Sequence, residues 1–174
     1  MKKITIGVVA LMCIACGGKV EKSGKIEERA YQLTSDVKTG TNVMQSSTAT
    51  GDVTIGGEKF HYSIKRRPDE TLPKVKNEEG SLFVDNVIAL VITGKGNRTV
   101  VDKRFNKLNF AEHVDPAFLK QAILEGLVFD KEEGGKMLFL VSVCYPQTDL
   151  FVPLRLTVST NGSMTISEAG NIYD

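Results

Sequence analysis

The chain has 174 residues, 41% of them hydrophobic and 25% charged, with a formal net charge of +1. That is the composition of an ordinary globular domain, and a charge so close to zero gives no pull towards nucleic acid or another polyanion. With only 3 cysteines and 2 histidines, there is little material for a disulfide framework or a clustered metal site.

Lys2 and Lys3 precede an apolar run from Ile4 to Ala15. Its length fits the roughly 7–15 residues of a secretory signal and falls short of the ~18–20 that cross a membrane as a helix. The run ends in Cys13-Ile14-Ala15-Cys16-Gly17-Gly18, which resembles a bacterial lipoprotein lipobox, with Cys13 standing where such boxes usually open with leucine. Signal processing favours small residues before the cut. Ala15 precedes Cys16 whereas bulky Met12 precedes Cys13, so Cys16 is the expected lipidation site. The resemblance implies a diacylglycerol thioether and an amide-linked fatty acid on Cys16, an anchor that hardly dissociates. A cleaved secretory signal without lipid and a retained membrane anchor are the alternatives. The expected division is residues 1–15 as signal peptide, 16–29 as lipidated cysteine and flexible tether, and 30–174 as a single β-rich domain. In the precursor, residues 4–15 are expected as an isolated helix and the tether as an extended segment with few contacts. Loss of Lys2 and Lys3 brings the charge to about −1. Cys144 is then the only free thiol, so the core must stabilise the fold without an internal disulfide.

Gly17 to Glu28 is polar and lacks apolar periodicity, as a tether should. Ala30 to Val37 reads as a first strand, and the Ser/Thr/Gly-rich stretch from Thr39 to Gly51 as a loop. Val53 and Ile55, then Phe60, Tyr62 and Ile64, alternate with polar residues about Gly56-Gly57, a hairpin pattern. Pro68 to Gly80 reads as an exposed loop. Leu82 to Thr93, apolar on both faces, reads as one central strand covered on each side. Gly94 to Asn97 turns the chain into a strand over Arg98 to Phe105. Asp115 as N-cap, Pro116 in the first turn and Gly126 at the C-terminus bracket a helix whose stripe is Phe118, Leu119, Ala122 and Ile123. Leu127 to Phe129 and Lys136 to Tyr145 follow as strands around the Glu132-Glu133-Gly134-Gly135 turn. Met137, Phe139, Val141, Val143 and Tyr145 face one way, and Leu138, Leu140 and Cys144 the other. Phe151 to Thr160 and Ser163 to Ser167 form a last hairpin about Asn161-Gly162. The fold class is therefore mainly β with a minor α part. An antiparallel meander of about eight or nine strands closes as a sandwich or an open barrel, with one short helix near residues 116–125.

The chemistry-bearing residues are sparse. His61, between Phe60 and Tyr62, shares a strand face with Lys59, Ser63 and Lys65 and reads as solvent-facing; His113 reads as a loop residue before the helix. No zinc-ligand spacing and no Gly-x-Ser-x-Gly elbow occurs after the signal. Cys144, among Leu140, Val143 and Tyr145, reads as a core thiol. The acidic pairs Asp69-Glu70, Glu78-Glu79 and Glu132-Glu133 fall beside turns and read as solvated. The glycines of Gly94-Lys95-Gly96-Asn97 lack a helix N-terminus to bind phosphate. The basic stretches Lys65-Arg66-Arg67, with Lys74 and Lys76, and Lys103, Arg104 and Lys107 read as solvated strand edges.

Two stretches combine aromatics with turn formers, Phe105-Asn106-Lys107-Leu108-Asn109-Phe110 and Val143-Cys144-Tyr145-Pro146-Gln147-Thr148-Asp149. With the lipobox they resemble small lipoproteins of unknown function from Bacteroides-type bacteria. The resemblance implies an address and a fold, and assigns no catalytic residue. Surface-exported lipoproteins of such bacteria tend to carry acidic residues soon after the lipid cysteine. Gly17 to Lys22 holds only Glu21, which favours the periplasmic side of the outer membrane.

The expected function is a non-enzymatic envelope module, attached to the membrane by its lipid, that binds an envelope protein or a small ligand and no nucleic acid. A structural or assembly role is the alternative, followed by an enzyme with a site assembled around His61 or His113. No catalytic, cofactor-binding or metal-ligating residue is assigned, and no cofactor is expected.

Overall fold

The computed structural model describes residues 33–36, by their backbone, and 40–170. The lipobox with Cys16, the signal and the tether lie outside the described residues. Twelve strands and one α-helix are described: β1 (Leu33–Asp36), β2 (Thr41–Met44), β3 (Ser47–Ile55), β4 (Glu58–Pro68), β5 (Val75–Lys76), β6 (Leu82–Phe83), β7 (Asn86–Thr93), β8 (Thr99–Phe105), α1 (Pro116–Gln121), β9 (Ile123–Glu133), β10 (Lys136–Cys144), β11 (Phe151–Ser159) and β12 (Met164–Glu168). They form three four-stranded sheets, ordered β3-β4-β7-β8, β12-β11-β10-β9 and β1-β2-β6-β5. The first two are wholly antiparallel, and their inner faces share one core, as in a sandwich rather than a closed barrel.

Alternation builds that core. Phe60, Ile64, Ile88, Leu90 and Ile92 from one sheet meet Met137, Phe139, Val141, Val143, Leu154 and Leu156 from the other. Tyr62 stacks on Phe129 (4.9 Å between ring centroids) and sets its edge to Phe139 (6.0 Å). Gly51 makes room for that ring, since a Cβ there would lie 2.3 Å from the Tyr62 hydroxyl. The β3–β4 turn takes Gly56 and Gly57 at φ +56° and +81°, the left-handed values a primed turn demands. The last hairpin is looser than an Asn-Gly turn of two residues. Only Gly162 has positive φ, and Asn161 Oδ1 instead accepts from the Ser163 amide and hydroxyl.

The structure corrects the expectations for three segments and, with them, the strand count. Thr39 to Gly51 is not loop: it contains β2 and most of β3, whose threonines suit an exposed edge strand. Within the expected loop from Pro68 to Gly80, Val75–Lys76 forms β5 against β6. The run from Leu82 to Thr93 breaks at Val84-Asp85. Its β6 part joins the small sheet by a parallel pairing with β2, and β7 buries one face only. These short strands raise the count above the expected eight or nine.

The helix begins where expected. Asp115 Oδ1 accepts from the amides of Ala117 (2.9 Å) and Phe118 (3.0 Å), with Pro116 at the first position. It ends early, at Gln121, because Ala122 is extended and Ile123 already pairs in β9. Gly126 is therefore a strand residue opposite Ser142, where a Cβ would come within 2.9 Å of the serine Oγ.

Candidate functional site

The β10–β11 connection, residues 145–150, stands between two hollows. Pro146 and Gln147 occupy the centre of a turn closed by the Thr148 amide donating to the Tyr145 carbonyl (3.2 Å). Thr148 Oγ1 donates to the same carbonyl (3.0 Å) and accepts from the Leu150 amide (3.1 Å). Gln147 lies at φ +62°, the left-handed region that the third position of a type II turn requires and that side chains disfavour. Tyr145 is held from behind by Phe118 of α1, stacked at 4.2 Å and 13°.

On one side of this loop opens a cleft of about 380 Å³ lined by Tyr145, Gln147, Thr148, Leu150, Gln121 and the Asn77-Glu78-Glu79 turn. It lies in the size range of small-molecule sites. Its walls offer one aromatic ring, amides, a hydroxyl and two carboxylates, and Leu150 is 59% exposed at its margin. On the other side lies a hollow of about 230 Å³ lined by Met44, Ile123, Glu125, Cys144 and the same loop. Cys144 is buried there beside the Glu125 carboxylate. Burial, then that neighbouring charge and the hydrogen bond the thiol donates to it, push the thiol far above its ordinary range. The sequence reading of a core thiol stands.

Beneath the hollows a polar layer joins the small sheet to the sandwich. Arg66 is buried, and its guanidinium donates to the carbonyls of Glu125 (2.7 Å) and Gln45 (3.0 Å). Asp85 Oδ1 accepts from the Leu124 amide (2.9 Å) and the Asn86 amide (2.8 Å), while Oδ2 lies 3.5 Å from Lys107 Nζ. Burial pushes the Asp85 carboxyl up, against the pull of the Leu124 amide and Lys107. Lys107 Nζ also donates to the Ala122 carbonyl at 2.7 Å, and Asn86 Nδ2 to the Leu124 carbonyl at 3.0 Å. Arg66 and Lys107 thus correct the reading of the basic stretches as solvated edges. For Arg66 the sequence carried a usable signal, since it continues the inward phase of Phe60, Tyr62 and Ile64. For Lys107 and Asp85 it carried none, because their partners are distant in sequence.

The histidines stay apart from the cleft. His61 faces outward on β4, its Nδ1 2.9 Å from Asp52 Oδ1 of β3, and Lys59 Nζ lies 2.9 Å from Asp52 Oδ2. Hydrogen bonds from Lys59 and then His61 hold the Asp52 carboxyl below its ordinary range. His113 closes the 3-10 turn Lys107–His113. The odd stretch from Phe105 to Phe110 is structural. Asn106 and Asn109 cap that turn reciprocally, and the two phenylalanines pack in the core 5.7 Å apart. Of the acidic pairs, Asp69 accepts from the Thr71 amide and hydroxyl, Glu132 from the Gly135 amide, and Glu133 pairs with Lys131; Glu78-Glu79 lines the cleft of about 380 Å³. Among the described residues no three His, Cys, Asp or Glu side chains gather at metal-binding distance.

A family described as Domain of unknown function (DUF4738) matches residues 26–166. No curated protein matches the chain.

Proposed function

The chain belongs to that family of unknown function, and from the site itself we propose that it is a lipid-anchored envelope module that binds a small ligand without transforming it. The observation that carries this reading is the cleft of about 380 Å³ beside a loop whose Gln147 keeps a left-handed backbone. Strained positions of this kind persist where the surroundings over-determine them, and they cluster at binding sites. Tyr145 on its Phe118 support gives a ligand a rigid ring to pack against, and Glu78 and Glu79, which form no ion pair among the described residues, disfavour anions. Cys16, with the small residues around it, supports the anchor, and the sparse acidity after it supports the periplasmic side of the outer membrane. The His61–Asp52 pair gives an enzyme little to work with, because it sits exposed on an outward strand face and lines neither of the two hollows beside the 145–150 loop.

Ligand-observed NMR with a library of small neutral and cationic compounds, run against wild type and Tyr145→Ala, tests the cleft. Line broadening with wild type that weakens at least tenfold in the variant is expected. A hit that survives Tyr145→Ala unchanged places binding elsewhere. Metabolic fatty-acid labelling of wild type and Cys16→Ala tests the anchor separately, with label on wild type alone as the expected outcome.

A further inference from the structure

We propose that the outer face of the β3-β4-β7-β8 sheet rests on an anionic lipid surface, with Lys65, Arg67 and Arg104 as its contact cations. Alternation along β4 sends Phe60, Ile64 and Arg66 into the protein, which leaves Lys65 and Arg67 outward and exposed. The register then sets Lys65 opposite Ala89 and Ala89 opposite Arg104, a row across three strands, with Arg67 opposite Val87. Ala89 lies between Lys65 and Arg104, with the half-buried Val87 and Val91 on either side of it along β7, and Val91 stands between Ser63 and Asp102. Cations flanking a shallow apolar stripe match a bilayer interface, where ammonium and guanidinium groups reach phosphates and short apolar side chains meet the acyl boundary.

Among the described residues none of the three cations is held in an ion pair, unlike Lys59 with Asp52 on the same face. The acidic groups of this side are few and partly engaged. Asp52 is shared by Lys59 and His61, whereas Asp69 accepts from Thr71 and also lies close enough to Arg67 and Arg104 for their charges to help hold its carboxyl down. Asp102 lies opposite Val91, further along the strands. The entry of the chain supplies the second argument. Leu33 of β1 pairs with Met44, three residues before Ser47, and Ser47 pairs with Arg66, between Lys65 and Arg67. The segment leading back to Cys16 therefore joins the domain at the end of the sheet that carries the cations. From Cys16 to Leu33 the chain reaches at most roughly 60 Å, so an anchored lipid keeps this face within reach of headgroups. One acyl signal and a basic patch act together in this way on membranes. The inference rests on the lipid-anchor reading, and its test does not.

Residues 16–174 carrying Cys16→Ser, so that no acyl chain contributes, are sedimented with phosphatidylethanolamine vesicles containing about 30% phosphatidylglycerol and with phosphatidylcholine vesicles. Binding to the anionic vesicles alone, lost at high salt, is expected. Each removed cation weakens such binding about fivefold, so Lys65→Gln with Arg67→Gln and Arg104→Gln together weaken it about a hundredfold. Lys74→Gln with Lys76→Gln and Lys120→Gln leaves it unchanged. Urea midpoints confirm that the exposed substitutions leave the fold intact, and Arg104→Gln alone serves should the triple variant unfold. Equal binding to both vesicles, or an unchanged triple variant, overturns the proposal. Binding to heparin without binding to vesicles overturns it in favour of a soluble polyanion. Vesicle binding retained in a protein that takes no fatty-acid label removes the anchor and leaves the lipid-facing surface.

Discussion

Between the two large sheets, Phe60, Leu90, Phe139, Leu154 and Leu156 meet with 0–1% of their surface exposed, in a cluster whose described members are all hydrophobic. Against the small sheet the arrangement differs: Met44, Val75, Phe83, Ile123 and Cys144 form a second cluster beside the buried Arg66, Asp85 and Asn86. The first region is held by area removed from water, which is non-directional and indifferent to pH. In the second, side chains satisfy backbone groups at the edge of β9, where its register with β10 shifts, such as the Leu124 amide and the Glu125 carbonyl. A region built the first way fails by losing volume. One built the second way fails by losing a partner, and its stability follows ionisation.

The largest expected effect lies in the apolar region. Phe139→Ala removes a fully buried ring that sets its edge to Phe129 and packs with Tyr62, and it should cost about 3–5 kcal/mol. Urea denaturation at two pH values checks this, with the same loss expected at both. Next comes Arg66→Ala, which strands the carbonyls of Glu125 and Gln45, a cost of about 2–4 kcal/mol at one or more per buried acceptor. Unlike the first substitution, it should also raise hydrogen exchange locally in β2 and the start of β9. If Arg66→Ala is as harmless as an exposed Lys65→Ala, the contrast between the two regions is lost.

These two residues also show what the chain discloses of its fold before folding. Phe139 is readable from period-two alternation alone, as are the β3–β4 and β9–β10 hairpins with their paired glycines. The phase of β4 implies an inward Arg66, yet the charge itself argues for solvent, and composition prevails over phase when partners are unseen. Asp85 is beyond local reading. It interrupts an apolar run, and the reason, an amide 39 positions later, exists only after folding. The same holds for the parallel β2–β6 pairing and for the early helix end, where pairing of Ile123 in β9 overrides a good C-cap signal at Gly126. At the cleft, the turn formers and Tyr145 were legible as a stretch, whereas Phe118, Gln121 and the Glu78-Glu79 turn joined them through tertiary packing.

Asp85→Asn sharpens the comparison through pH. The folded carboxyl sits above its unfolded value, so the folded state binds the proton more tightly than the unfolded one. Its contribution is therefore most favourable below the unfolded pKa of about 4, declines as pH rises through the raised folded value, and is flat beyond it. Relative to Asp85→Asn, which keeps an acceptor for the Leu124 and Asn86 amides, wild type should lose stability as pH climbs through the acid range. Parallel urea titrations of the two proteins measure the difference. A gap that narrows in the opposite direction, with wild type gaining as pH rises, would show that the amides and Lys107 outweigh burial.

The smallest effect concerns Gln147, where the cleft and the fold make opposite demands. Glycine adopts φ +62° without the clash of a Cβ, and that relief is about 1 kcal/mol, offset in part by the greater freedom of glycine in the unfolded chain. Gln147→Gly should thus stabilise the protein by a few tenths of a kcal/mol, read as a small rise in urea midpoint at constant slope. Its amide also lines the cleft, so the same substitution should weaken any ligand that Tyr145→Ala weakens. A rise in stability with ligand affinity intact would leave the left-handed glutamine without a purpose at the site. A fall in stability would mean that its side chain supports the loop by contacts worth more than the backbone strain.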